Sequence, residues 1–106
     1  MNPEAHAVQM SDTQRETVCQ LIKDFLPGTE IWAYGSRAKG TARAASDLDL
    51  VAMANPEQAR QVSALKEAFE ESNLPFRVDL FVWDTLPVSF KENILREKKV
   101  LIPKDG

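Results

Sequence analysis

The chain has 106 residues, of which 43% are hydrophobic and 27% charged, with a formal net charge of −3 and an isoelectric point near 5.1. That length suits one domain with a core of its own and leaves no room for a separate substrate domain. The acidic balance supplies no general field for holding DNA or RNA, so stable DNA binding is not expected. No apolar run approaches the roughly 20 residues of a membrane span, and residues 1–10 lack the basic start and apolar middle of a secretory signal. The lone cysteine, Cys19, has no partner for a disulfide or a zinc site. A cytoplasmic protein is expected.

Residues 1–10 show no clear period and read as an N-terminal extension ahead of a single domain at 11–106; His6, among them, reads as a solvated side chain. Ser11 with Gln14 three residues on is a capping box. Val18, Leu21, Ile22, Phe25 and Leu26 then recur at helical spacing, which predicts an amphipathic helix over about 12–26. Cys19 lies beside that stripe as a core or boundary residue, and Pro27-Gly28 stops the helix. A short strand is expected at 30–34, rich in β-branched and aromatic residues. Ser36 to Lys39 reads as one helical turn that Gly40 breaks, and 46–53 reads as a second strand.

Asn55-Pro56 punctuates the chain. Ala59, Val62, Leu65, Ala68 and Phe69 form the inner stripe of a helix over about 56–72, closed by Asn73 and Pro75. Residues 76–83 give the clearest strand, with Val78, Leu80 and Val82 alternating against Arg77, Asp79, Phe81 and Trp83. Asp84 or Thr85 is the expected cap of a last helix with Val88, Phe90, Ile94 and Leu95 on its apolar side, and 100–102 is a brief final strand. Trp32, Trp83 and Phe90 suit either a core or a partner surface. The order of elements predicts an α+β fold, a small mixed sheet with helices packed on it.

The chemistry concentrates between Gly35 and Leu50. On a strand, Asp47 and Asp49 point the same way, about 7 Å apart along the backbone, beside the apolar Leu48, Leu50 and Val51. Two carboxylates on one face suit a hard cation such as Mg²⁺, which binds few carboxylates and shares phosphate oxygens. The Gly35-Ser36 turn offers backbone N–H groups and a hydroxyl for phosphates, and Arg37, Lys39 and Arg43 precede the acids without an intervening acid, as a polyphosphate clamp would. Asp79 is a lone acid in an apolar strand, costly if buried without a partner; it either sits on a solvated edge or joins Asp47 and Asp49. A P-loop and a Rossmann glycine pattern are both absent, and one His and one Cys give no support to triad chemistry.

Gly35-Ser36, ten residues, then Asp47-x-Asp49 resembles the signature of the DNA polymerase β-like nucleotidyltransferase superfamily, and Gly-Ser-Arg-Ala-Lys-Gly is most similar to its minimal, single-domain branch. The resemblance spans about 11–102 and implies the polymerase β-like fold, two Mg²⁺ ions and ATP as substrate. It implies that Asp47 and Asp49 bind both metals, and that Asp79 binds the catalytic one and helps deprotonate an acceptor hydroxyl. Gly35 and Ser36 would hold the β- and γ-phosphates, with Arg37 and Lys39 adding charge-assisted bonds. Members of this branch are often paired with a HEPN-domain protein as antitoxin and toxin. The resemblance therefore implies transfer of AMP to a hydroxyl, a tyrosine, of a HEPN toxin in a hetero-oligomer of the type VII-like kind. Neutralisation of the toxin by binding alone, and nucleotidylation of a small molecule such as an antibiotic, are the alternatives.

Overall fold

In the computed structural model, which describes residues 3–104, a short helix α1 (Pro3–Ala7) precedes α2 (Asp12–Phe25). The capping box is formed: Ser11 Oγ accepts the Gln14 amide at 3.1 Å, and Gln14 Oε1 accepts the Ser11 amide at 2.9 Å. Two donors at the start of α2 are thereby satisfied. The predicted stripe is inside, with Val18, Ile22 and Leu26 at most 1% exposed.

The residues ahead of Ser11 belong to the same core, since Ala5 and Val8 are 2% and 0% exposed. Five helical residues are too few to show a period. What holds them is Arg15, buried in α2, which donates to the carbonyls of Ala5, Val8 and Met10 and pairs with Asp12.

Four strands form one mixed sheet in the order β3-β2-β1-β4: β1 Ile31–Tyr34, β2 Leu48–Ala52, β3 Val78–Val82 and β4 Lys99–Ile102. β1 runs antiparallel to β2 and to β4, while β2 and β3 are parallel. Register sorts the side chains. Ala33 lies opposite Leu50 and Leu50 beside Leu80, whereas Tyr34 lies opposite Asp49 and Asp49 beside Asp79. The first set is apolar and lies under α2 and α4 (Ala59–Glu70), which contributes Val62, Leu65 and Phe69. The second face carries Tyr34, Val51 and Ile94 as a smaller cluster with Trp32, Met53, Trp83 and Leu86 packed on it. Its acids lie at the end where the chain leaves β1.

Two helix starts differ from expectation. Residues 56–58 form a 3₁₀ turn, Pro56–Gln58, before α4, so Ala59 is exposed rather than part of the inner stripe. Neither Asp84 nor Thr85 caps the last helix. Trp83–Thr85 is a 3₁₀ turn, and α5 (Val88–Glu97) starts after Pro87. The reason is local: the residue before a proline is pushed out of the helical region, and Leu86 is extended at φ −90, ψ 144. Of the apolar residues expected inside α5, Ile94 is buried, while Val88, Phe90 and Leu95 are exposed. Among the described residues, no helix is long and apolar enough to cross a membrane.

Candidate nucleotidyl-transfer site

β1 delivers the chain to Gly35 with φ +74, and a Cβ there would collide with the Asp49 carboxylate. Only glycine meets both demands, a left-handed φ and a close approach to an acid. Ser36 then opens α3 (Ser36–Lys39), which Gly40 ends at φ +77 with its N–H on Ser36 O. The predicted single turn is therefore present.

Asp49 lies on β2, level with Asp79 on β3. Burial raises the Asp49 pKa to about 6, with the neighbouring Asp79 and Asp47 adding to the shift. Asp47 stands one residue ahead of β2 and joins the group through Arg77. The Arg77 guanidinium contacts Asp47 at 2.9 Å and Asp79 at 3.1 Å, and both acids raise its pKa. Asp79 is thus neither buried nor alone. It also lines a cleft of about 590 Å³ with Lys66, Phe69, Arg77 and Phe81.

As the side chains stand, no three His, Cys, Asp or Glu residues among those described are placed to hold one ion. Asp47 and Asp79 are turned onto Arg77 instead. The donor chemistry nevertheless fits a hard cation: three carboxylates lie at one end of the sheet, and one of them resists ionisation because of its burial and then because of the other two. Tyr34 responds to the same field, its hydroxyl pKa raised by burial and then by Asp49, Asp79 and Glu97.

The basic residues divide. Lys39 is half exposed and pairs with Glu97 at 3.3 Å. Arg37, expected on a phosphate, is 3% exposed and turned into the fold. Its guanidinium donates to the carbonyls of Gln9, Ser46, Ala44 and Arg43, and stacks 4.0 Å from the Phe76 ring centroid. A fork of five N–H donors suits several carbonyls at once, so Arg37 shapes the loop between α3 and β2. Gln9 supports that loop from the other side, bonding both backbone groups of Ala42. Arg43 is exposed on it.

Gly35, Lys39, Asp47, Asp49 and Asp79 therefore come together through shared contacts, with Ser36 next to Gly35, and Arg37 does not face them. Arg77 and Glu97 are additions to the set read from sequence. Strand alternation places Arg77 on the Asp79 face, a signal present in the sequence. Glu97 is 62 residues from Gly35, and no local pattern marks it.

Comparison with known proteins agrees with this architecture. The family described as "Polymerase beta, Nucleotidyltransferase" matches residues 18–106. The chain is 43% identical over 83 residues to the "Probable protein adenylyltransferase MntA" of Haemophilus influenzae, covering 77% of this chain and 72% of that one. A solved toxin–antitoxin structure with AMP-PNP superposes with a TM-score of 0.60 at 20% identity, over 85% of this chain and 73% of that one. A tri-AMPylated Shewanella oneidensis HEPN toxin in complex with its MNT antitoxin matches with a TM-score of 0.57 at 16% identity, over 90% and 74% of the two chains. The glycine turn, the Asp-x-Asp strand, the mixed sheet and the match over most of the sequence lead to one conclusion: this chain belongs to the polymerase β nucleotidyltransferase family.

Proposed function

We propose that this chain is a protein adenylyltransferase that moves AMP from ATP to a hydroxyl, a tyrosine by family resemblance, of a HEPN toxin. It thereby acts in the cytoplasm as the antitoxin of a type VII-like pair. The observation that carries this reading is the close approach of Gly35 to the Asp49 carboxylate, which supports reading the turn as a phosphate-binding one beside the acids. The names of its similar proteins point the same way: an adenylyltransferase, a toxin–antitoxin complex with AMP-PNP, and a HEPN toxin carrying AMP. Residues 11–106 form the transferase domain, with residues 3–10 bracing it. The exposed Phe81, Val88, Phe90 and Leu95 suit contact with a protein partner.

In the reaction, Gly35 N–H, Ser36 and Lys39 hold the β- and γ-phosphates and fix the α-phosphorus over the acids. Asp79, which lines that cleft, orients the acceptor hydroxyl and takes its proton. The hydroxyl oxygen forms a bond to the α-phosphorus, the bond from that phosphorus to the α,β-bridging oxygen breaks, and pyrophosphate leaves with the electron pair. Asp47, Asp49 and Asp79 would hold two Mg²⁺ ions, which stabilise the attacking and leaving oxygens when bound. Arg77 has to release Asp47 and Asp79 for that.

Label transfer from α-labelled ATP to a co-expressed HEPN partner tests the proposal. Label on the partner, lost in Asp47→Asn/Asp49→Asn, is the expected result. A stable complex without label would favour neutralisation by binding.

A further inference from the structure

Glu97 is the last residue of α5, and its carboxylate spans two donors of the phosphate turn. One oxygen accepts the Gly35 N–H at 3.2 Å and the other meets Lys39 Nζ at 3.3 Å. A backbone N–H and an ammonium converging on one anion is how proteins hold phosphate oxygens. Glu97 is there for the site and not for its helix: a carboxylate in the last helical turn opposes the helix dipole, while Gly35 and Lys39 hold it in place.

We propose that Glu97 is an internal anion that occupies the phosphate donors of the turn and must withdraw for a triphosphate to bind, so that it sets the nucleotide affinity of this site. This rests on the reading of Gly35 and Lys39 as phosphate ligands. The side chain is built for exchange. It is 29% exposed, its partner Lys39 is 51% exposed, and exposed ion pairs of this kind are weak. A triphosphate brings more charge to the same donors and displaces it, and the freed carboxylate moves toward solvent at the end of α5.

The test is calorimetric titration of the full chain and of Glu97→Gln with ATP and with tripolyphosphate, each with and without Mg²⁺. Tripolyphosphate isolates the phosphate donors from any contact to the base. Glu97→Gln is expected to bind both ligands about tenfold more tightly, the effect of removing one competing charge, and Lys39→Ala is expected to bind both more weakly. Glu97→Asp, which keeps the charge but is one methylene shorter, is expected to fall between wild type and Glu97→Gln and serves where the Gln variant folds poorly. Equal or weaker binding by Glu97→Gln would overturn the proposal while leaving the phosphate turn intact. Loss of Mn²⁺ affinity in that variant, read by electron paramagnetic resonance, would make Glu97 a metal ligand and overturn it as well. No binding by wild type or variant would overturn the phosphate-turn reading and the proposal together.

Discussion

At Gly35 a single hydrogen atom separates the backbone from the Asp49 carboxylate. Gly35→Ala adds a Cβ where that carboxylate lies and also has to hold φ +74. A cost of about 1–3 kcal/mol is expected in chemical denaturation, together with loss of nucleotide transfer. Asp49 itself carries a pH signature. Its folded pKa of about 6 lies above its ordinary 3.8, so the folded chain binds this proton more tightly than the unfolded chain does. Its contribution to stability is therefore complete below about pH 4 and is lost as pH rises to about 6. Asp49→Asn removes that loss. Its stability relative to wild type should grow by on the order of 1–2 kcal/mol between pH 4 and pH 7, allowing for partial exposure of the group. A stability difference that stays flat over that range would contradict the assigned burial and repulsion. Arg37 and Lys39, two residues apart, should separate cleanly in the same measurements. Arg37→Ala takes a donor from the carbonyls of Gln9, Arg43, Ala44 and Ser46 and is expected to cost about 2–4 kcal/mol. Lys39→Ala is expected to change stability by less than about 0.5 kcal/mol while weakening nucleotide binding. Equal effects on stability would show that the two side chains do not play these different parts.

The elements that bury a long, regular face were legible from residue pattern alone. α2, α4 and β3 show it, because their apolar residues recur at 3.6 or 2.0 spacing along the whole element. The Asp-x-Asp pair and the glycine turn were legible for a different reason: few arrangements of residues satisfy a close turn and paired acids together. β2 nevertheless begins at Leu48 and leaves Asp47 just ahead of it, not on the strand expected over 46–53. What stayed hidden was set by tertiary contact. α1 is five residues long and owes its place to a buried arginine from α2. The inward turn of Arg37 depends on carbonyls from Gln9 and from 43–46, which no local pattern brings together. Glu97 meets Gly35 across 62 residues of chain. These contacts make residues 3–10 structural. Deleting residues 1–10 removes Ala5 and Val8 from the core, takes carbonyl partners from Arg15 and Arg37, and strips Gln9 from the loop. Such a truncation should lower stability by at least about 2 kcal/mol, or ~10 °C in Tm. An unchanged Tm would show that the segment merely rests on the surface.

For the molecule as a whole, the sheet divides structural from chemical labour. One face carries the apolar register of Ala33, Leu50 and Leu80 under α2 and α4, and the other carries Asp49 and Asp79 with Gly35 above them. Arg77 neutralises two of the acids, while Glu97 engages the Gly35 N–H and Lys39. The most direct measurement is transfer of label from α-labelled ATP, with Mg²⁺, to a co-expressed HEPN partner by wild type and by Asp47→Asn/Asp49→Asn. Labelled partner is expected with wild type and none with the double variant. Label of equal intensity from both would contradict the assignment of these acids, and a tight complex that never carries label would contradict catalysis as the means of neutralisation.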